Sequence, residues 1–174
     1  MPGWELIGES ENGVILDAQN LSKGIIISNN NTSYISNLTI INGLGDKGGG
    51  IYLGNSSPFI SNITIRENTA DNGGGMYFAD SDPLLYNLTI YNNSTNISGA
   101  GIYLSNSNPT LTNITIYNNE SINSGGGIYL SGSNPIIINS ILQNNSPESI
   151  FKDSSIPIIS YSNFEGEIDG ENNI

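Results

Sequence analysis

The run Gly48-Gly49-Gly50-Ile51-Tyr52-Leu53 occurs four times with small changes, and these copies decide how the chain folds. The other copies are Gly73-Gly74-Gly75-Met76-Tyr77-Phe78, Gly99-Ala100-Gly101-Ile102-Tyr103-Leu104 and Gly125-Gly126-Gly127-Ile128-Tyr129-Leu130. Their first glycines stand at positions 48, 73, 99 and 125, so the copies are almost evenly spaced. A period of this size with short β-rich runs is typical of a solenoid, in which each repeat buries its apolar face only against its neighbours.

Asparagines at the same place in each copy extend the repeat over most of the chain. The aligned positions are Asn37, Asn62, Asn87, Asn113 and Asn139. They predict regular repeats, here called rungs, over about 24–47, 48–72, 73–98, 99–124 and 125–149. A looser rung precedes these at about 3–23, and a terminal rung follows at about 150–174, where Tyr161 replaces the asparagine. We therefore expect one domain spanning 1–174, with about seven rungs of ~21 to ~26 residues each.

Each rung contains three strand-like pieces. The first is the Gly-Ile-Tyr-Leu piece, the second is typified by Pro58–Ile60, and the third by Ile63–Ile65. The step from Ile60 to Ile63 breaks the period of two, so we expect a bend at Ser61-Asn62, where asparagine tolerates left-handed backbone. This pattern predicts an all-β parallel β-helix with three short parallel sheets and rungs ~4.8 Å apart.

Stacked rungs should place like residues in columns along the axis. The chain contains 28 asparagines, and two columns of them are predicted: Asn62, Asn87, Asn113, Asn139 and Asn68, Asn93, Asn119, Asn145. Side-chain amides in such columns bond to one another along the axis, as in cross-β stacks. We interpret the high asparagine content as structural for this reason.

The repeat GGGIYL-x-x-S-x-P-x-I-x-N-x-T-I-x-x-N resembles that of right-handed parallel β-helix proteins on bacterial and archaeal cell surfaces. Proteins of this type include secreted proteins with a choice-of-anchor tail and, more loosely, the chlamydial polymorphic outer-membrane proteins and pectate-lyase-like folds. The ending Ile159-Ser160-Tyr161-Ser162-Asn163-Phe164-Glu165-Gly166 resembles a segment near the end of such arrays. The resemblance implies a right-handed helix and a secreted or cell-surface location. The first residues lack a signal-peptide pattern, so we expect an export signal to lie outside this chain.

Composition disfavours several classes of function. The net charge is −12, with only Lys23, Lys47, Arg66 and Lys152 as cations, so nucleic acid and anionic membrane surfaces are unfavourable partners. Cysteine and histidine are absent, which excludes disulfides, thiolate chemistry and histidine-based acid–base catalysis. No apolar stretch is long enough to span a membrane, so we expect no membrane insertion.

The tyrosine of each glycine-rich copy is the strongest candidate for contact with a partner. Tyr52, Tyr77, Tyr103 and Tyr129 should form an outward column, and aromatic faces in a row are a common way to hold sugar rings. The alternative is that stacked like residues stabilise the sheet through cross-strand contacts. A second outward column is predicted at Thr39, Thr64, Thr89 and Thr115. This threonine column would either order water, as in ice-binding solenoids, or be an ordinary exposed row of strand residues.

Carboxylates between the copies are the remaining candidate site. Asp80 and Asp82 lie in one turn, and Glu67 and Asp71 lie in a loop of the preceding rung. If they meet, they would suit a glycosidase pair or a calcium ion, but a solvated acidic turn explains them more simply. Accordingly we expect no cofactor, with calcium as the alternative. The acidic run Glu165, Glu167, Asp169 and Glu171 is interpreted as a solvated terminal segment, with a calcium-stabilised cap as the alternative.

Taken together, the residues favour a non-catalytic surface scaffold with a structural or adhesive role and weak carbohydrate binding through the tyrosine column. The alternatives are a fragment of a polysaccharide-degrading enzyme and an engineered, consensus-like solenoid without a natural ligand. Four scattered cations do not form the basic cluster that a uronate lyase needs. We expect the first rung to be capped by Trp4, Leu6 and Ile7. At the last rung we find no pattern of a terminal helix, so a second copy of the chain, bound end to end, is an alternative partner.

Overall fold

The computed structural model describes residues 4–10, 13–30, 32–165 and 173. Over these ranges the chain forms twenty short β-strands and no helix. In chain order the strands are β1 (Glu5–Ile7), β2 (Ile15–Asp17), β3 (Ile25–Ser28), β4 (Tyr34–Ile41), β5 (Leu44–Lys47), β6 (Ile51–Gly54), β7 (Phe59–Arg66), β8 (Thr69–Asn72), β9 (Met76–Ala79), β10 (Leu84–Tyr91), β11 (Ser94–Ser98), β12 (Ile102–Ser105), β13 (Thr110–Tyr117), β14 (Glu120–Ser121), β15 (Ile128–Ser131), β16 (Ile136–Ile138), β17 (Ile141–Gln143), β18 (Ile150–Asp153), β19 (Ile158–Ser160) and β20 (Asn163–Phe164).

The strands form three parallel sheets that run along the stack. The first sheet follows the order β1-β4-β7-β10-β13-β16-β19, with β2, β17 and β20 beside it. The second follows β3-β6-β9-β12-β15-β18, and the third β5-β8-β11-β14. Each strand pairs in parallel with the strand one rung away, as in Tyr52 opposite Tyr77. The predicted all-β parallel β-helix with three sheets is confirmed, and it makes about six turns.

The composition of those sheets differs from the prediction in one respect. The second and third predicted pieces, Pro58–Ile60 and Ile63–Ile65, do not form separate sheets, because both fall in the eight-residue strand β7. The predicted bend is present: Asn62 has φ 52°, and Ile60 and Ile63 on either side of it are both fully buried. The third sheet instead follows this strand, in segments such as Thr69–Asn72.

Left-handed backbone turns the chain at four places in each of the four rungs that begin with a glycine-rich copy. Three of these columns are mainly asparagine, and the fourth is the first glycine of each copy, with Gly73 at φ 67°. Asparagine fills 13 of the 18 non-glycine positions with positive φ in the described ranges. Because asparagine adopts this conformation more readily than other residues with a side chain, the high asparagine content has a structural cause.

The interior is filled by branched aliphatic side chains stacked rung upon rung. Fully buried examples are Ile65, Ile90 and Ile116, which lie in register on β7, β10 and β13. The glycine-rich segments pass close to neighbouring backbone. A Cβ atom on Gly74 would lie 2.5 Å from the carbonyl oxygen of Ser94, which is too close for a real contact. Glycine at this position is therefore a packing requirement.

The third sheet absorbs the one extra residue of the rung that begins at Gly73. Strand β11 has five residues where β8 has four, and the register shifts between Thr95 and Ser98. The bulge places Ile97 outside, with 44% of its surface exposed. The first and second sheets keep their alignment across the same rungs.

The two ends of the stack are closed to different degrees. Leu6 packs against the core, as predicted for a cap, but Trp4 and Ile7 are 40% and 53% exposed. At the other end the side chain of Asn173 accepts a hydrogen bond from the backbone N–H of Ser162 at 3.1 Å. In the predicted acidic run, Glu165 accepts a hydrogen bond from the N–H of Asn144 at 2.8 Å. Glu167, Asp169 and Glu171 lie outside the described residues.

Candidate functional site

The predicted tyrosine column is present on the outer side of the second sheet. Tyr52, Tyr77, Tyr103 and Tyr129 lie in register on β6, β9, β12 and β15, with Phe151 of β18 at the end. Successive ring centroids along this column are 5.9, 4.9, 4.7 and 5.0 Å apart, and no two neighbouring planes differ by more than 16°. The rings therefore form a continuous parallel stack.

This stacking decides what the column offers to solvent. Ring faces cover one another, and Lys23 and Lys47 place their ammonium groups 5.4 and 5.2 Å from the ring centroids of Tyr52 and Tyr77. Tyr77 is buried, and the other three tyrosines are half-buried. The column thus presents ring edges rather than the row of open faces on which the sequence prediction rested. Carbohydrate contact by these residues stays a prediction.

Burial in the column changes the acidity of its phenols. Burial is the main cause that raises the pKa of Tyr103, and the neighbouring rings of Tyr77 and Tyr129 raise it further. Burial, followed by the negative charge of Asp153, raises the pKa of Tyr129. The phenols at this end of the column are thus harder to ionise than free tyrosine.

An open depression lies beside the first ring of the column. Its volume is about 280 Å³, and it is lined by Ser28, Asn29, Tyr52, Gly54, Asn55, Ala79 and Asp80. The Tyr52 ring lies across Gly54, and a Cβ atom on Gly54 would be 3.0 Å from Cε1 of that ring. The Asn55 amide donates to Oδ1 of Asn29 at 2.9 Å. The depression brings Tyr52 and Asp80, candidates from two separate predictions, to one place.

Sequence reasoning did not find this depression. The sequence does contain a signal for it, at the residue two places after each tyrosine of the column. That residue is glycine at position 54, whereas the later rungs have Ala79, Ser105 and Ser131. Reading that column across the rungs would have shown the missing side chain.

The candidate calcium ligands are not brought together. Asp71 accepts a hydrogen bond from the Asn96 amide at 3.0 Å, on the third sheet. Asp82 accepts one from the backbone N–H of Asn108 at 2.5 Å, and Asp80 occupies a left-handed corner. Glu67 forms an ion pair with Arg66 at 2.7 Å. No group of three acidic side chains in the described part of the chain is placed to hold a metal ion.

The inner asparagine ladder, by contrast, is present as predicted, and within the described residues the outer ladder has amide bonds only over Asn37, Asn62 and Asn87. In the inner ladder each amide donates to the next Oδ1, at 3.0 Å from Asn68 to Asn93 and 2.9 Å from Asn119 to Asn145. In the outer ladder Asn87 donates to Asn62 at 2.8 Å. A serine ladder was missed: Oγ of Ser107 accepts from the N–H of Ser81 at 3.0 Å. The asparagines of the inner ladder and the serines satisfy buried polar groups and are structural.

Two further outer columns lie on the first sheet. Thr39 and Thr64 of the threonine column are buried and Thr89 and Thr115 are half-buried, so the column is not the exposed array that water ordering needs. The other column is largely apolar after Glu5, which is in register with its first aromatic residue, Tyr34, and sequence reasoning missed it. It comprises Tyr34, Phe59, Leu84, Thr110, Ile136 and Ile158.

Comparison with known proteins identifies the family. A family model described as a right handed beta helix region matches residues 14–164. Among solved structures the chain is similar to QnrB1, a plasmid-mediated fluoroquinolone resistance protein, in a trypsin-treated form. That similarity has 12% identity, covers 98% of this chain and 91% of that chain, and has a TM-score of 0.27, which supports no conclusion about function. The search of curated proteins gives no match.

Within the described ranges there is no helix long and apolar enough to cross a membrane. The family match covers most of the chain, and the strands of residues 4–165 form a parallel β-helix. The chain belongs to the right-handed β-helix family.

Proposed function

We propose that the protein is a non-catalytic β-helix scaffold of a secreted or cell-surface protein, with a structural or adhesive role. The observation that carries this proposal is that the repeated polar and aromatic side chains contact their own copies on adjacent rungs. Asn93 and Asn119 bond to each other at 3.0 Å, and Tyr103 stacks on Tyr129 at 4.7 Å. Such contacts stabilise an extended surface and leave few repeat residues free to converge on a reacting group.

The placement of the acidic side chains supports a non-catalytic role. A glycosidase places two carboxyl groups across one scissile bond, at ~5 to ~9 Å from each other. Here Asp71 lies on the third sheet, whereas Asp80 follows the second sheet, at the other end of strand β9. Asp71 and Asp82 also accept hydrogen bonds from Asn96 and Asn108 of the next rung. Their placement suits the packing of rungs better than catalysis.

Weak carbohydrate binding at the depression beside Tyr52 is the adhesive contact that we propose. Amide groups of Asn29 and Asn55 and the carboxylate of Asp80 are suitable partners for sugar hydroxyls, and the Tyr52 ring edge adds apolar contact. Because the depression is open, a bound sugar would keep much of its hydration, and the affinity of one site should be low. Several copies on a surface would add avidity.

Affinity electrophoresis in gels containing neutral polysaccharides tests this role. We expect weak retardation of the wild type and its loss in Gly54→Ser, which fills the depression with a residue found at Ser105 and Ser131 in the same column. A loss of about tenfold in affinity corresponds to ~1.4 kcal/mol. Tyr129→Ala is the matched control at the far end of the column, and its retardation should equal that of the wild type.

Two outcomes contradict the proposal. Retardation that survives Gly54→Ser, or that is absent across the whole panel, removes the carbohydrate contact. Release of reducing sugar from any polysaccharide in the panel replaces the scaffold with the enzyme alternative. Antibody labelling of intact and permeabilised cells of the source organism tests the location, and labelling confined to permeabilised cells contradicts it.

A further inference from the structure

Tyrosine rings are paired across rungs at two places on the surface. On the second sheet Tyr103 stacks on Tyr77 and Tyr129, at 4.9 and 4.7 Å between centroids. On the first sheet Tyr91 stacks on Tyr117 at 4.8 Å, with planes 7° apart. Apart from Tyr77, these residues are half-buried, so part of each side chain is open to solvent. The two sets are called the long stack (Tyr52, Tyr77, Tyr103, Tyr129) and the short stack (Tyr91, Tyr117).

We propose that both stacks are oxidative cross-linking sites, at which a one-electron oxidant joins consecutive rungs by a carbon–carbon bond between adjacent phenol rings. Each of two phenols loses one electron and its hydroxyl proton and becomes a phenoxyl radical. The radicals couple between the ring carbons next to their oxygens, and the two displaced ring hydrogens return as protons to the oxygens. The pair thus loses two hydrogen atoms, and hydrogen peroxide, acting through a peroxidase, takes them up to give two water molecules.

The fold supplies the proximity that this coupling needs. Neighbouring rings are held in parallel on adjacent hydrogen-bonded strands, so the second radical forms beside the first instead of meeting it by diffusion. Other tyrosines lack this arrangement. Tyr34 stacks on Phe59, which has no hydroxyl group, and Tyr86 lies between Ser61 and Thr112. Tyr161 is 60% exposed and opposes no tyrosine in the described strand pairs.

Charges around the long stack predict which of its pairs reacts. The ammonium groups of Lys23 and Lys47 lie over the rings of Tyr52 and Tyr77, where positive charge disfavours the loss of an electron. At the other end the negative charge of Asp153 acts on Tyr103 and Tyr129. We therefore expect the Tyr103–Tyr129 pair to couple before the Tyr52–Tyr77 pair, whose rings are also further apart at 5.9 Å.

The expected product is a monomer with an internal tether. Because the net charge of −12 keeps molecules apart, coupling between molecules should be slower than coupling within a stack. The chain has no cysteine, so a disulfide is not an option for joining rungs covalently. A tether between Tyr103 and Tyr129 closes a loop the length of one rung, which restricts the unfolded chain as a disulfide does and raises the Tm.

The experiment treats the dilute full chain with a peroxidase and hydrogen peroxide. The readouts are dityrosine fluorescence, denaturing gels and mass spectrometry of proteolytic peptides. We expect a monomer that has lost two hydrogen atoms per link, with Tyr103 joined to Tyr129 and Tyr91 joined to Tyr117. The double variant Tyr103→Phe, Tyr117→Phe keeps the ring stacking but removes a phenol from each preferred pair. Its yield of intramolecular dityrosine should fall at least about tenfold.

A matched control and circular dichroism separate chemistry from folding. The variant Tyr86→Phe, Tyr161→Phe also loses two phenols but none from a stack, and its yield should equal that of the wild type. Three results would overturn the proposal: an unchanged yield in the first variant, links found only between molecules, or no dityrosine while Tyr161 becomes oxidised. Circular dichroism of both variants should match the wild-type spectrum. A second variant, Tyr77→Phe, Tyr129→Phe, Tyr91→Phe, leaves Tyr103 and Tyr117 without a stacked phenol and has the same expected loss.

Discussion

Single side chains of the inner asparagine ladder each hold several backbone groups. Asn93 accepts from the N–H and the amide of Asn68, and its own amide donates to Asn119 and to the carbonyl oxygens of Ile65 and Tyr91. The side chain is buried, so these groups have no water to replace it. In each rung, one asparagine therefore provides the hydrogen bonds that the buried polar groups at this corner need.

We expect Asn93→Ala to lower the free energy of unfolding by about 3 kcal/mol, because it leaves several buried donors and acceptors unpaired. Urea unfolding followed by circular dichroism measures this loss. Asn96→Ala is the matched control, since Asn96 is exposed and its amide donates to Asp71 at the surface. Its effect should stay below about 0.5 kcal/mol. Equal losses in the two variants would show that the ladder adds no stability.

The raised pKa of Tyr103 predicts a loss of stability in alkali. Burial and the neighbouring phenols raise its pKa in the folded state above the value of about 10 in the unfolded chain. The contribution of this group to stability is full below pH ~10 and is lost as the pH rises through the folded pKa. We expect the fall in Tm between about pH 9 and about pH 11 to be smaller in Tyr103→Phe than in the wild type. Tyr161→Phe, which replaces an exposed ring outside the column, should leave the fall unchanged.

At the scale of strands, the sequence predicted the apolar pieces and missed the rest. Ile51 and Leu53, or Ile63 and Ile65, alternate with outward residues and are buried as expected. In the third sheet β8 buries only Ala70 among its four residues, so it has no apolar alternation to recognise. The prediction also missed that the second and third pieces of the rung form one strand, β7. A left-handed residue bends a strand without ending its hydrogen bonding, and the sequence shows only the bend.

The tyrosine column shows what the sequence could and could not predict about the candidate site. Its position and direction followed from the period of two, but the availability of its ring faces depends on side-chain torsions that alternation does not encode. Likewise Asp71 and Asp80 are close in sequence, and only the path of β9 shows that they lie at opposite ends of a strand. Columns could be predicted from the repeat, whereas contacts between different columns could not.

The middle glycine of a repeat copy, such as Gly74, allows a prediction about the segment that connects β8 to β9. We expect Gly74→Ala to lower the free energy of unfolding by about 2 kcal/mol, because its Cβ would meet the carbonyl oxygens of Ser94 and Ala100 at 2.5 and 2.9 Å. Thermal unfolding measures the change. The reverse change Ala100→Gly, at the matching place one rung later, is the control. It should cost about 1 kcal/mol or less, and a larger loss there than at Gly74 would contradict the close approach.

For the whole molecule, contacts between successive rungs imply that a complete rung can be removed. We expect a chain lacking 99–124 to fold, because the deletion joins Ser98 to Gly125, and Ser98 occupies the place of Ser124 one rung away. Stability should fall roughly in proportion to the lost rung interfaces. Circular dichroism and urea unfolding would show a β-rich chain with a lower midpoint. Deleting half a rung, 99–111, is the control: it breaks the register and should leave the chain unfolded. Folding of the second chain but not the first would contradict a modular stack.

The bulge at Ile97 has a consequence for protein engineering. Added length in this rung is taken up on the third sheet, while the tyrosine and asparagine columns stay aligned. A foreign peptide placed between Asn96 and Ile97 would thus be displayed as a loop on one side of the stack. Repeating the insertion in successive rungs would array copies of that peptide at a spacing of ~4.8 Å, the distance between paired strands. The protein would thus hold inserted peptides at a regular spacing along one side of the stack.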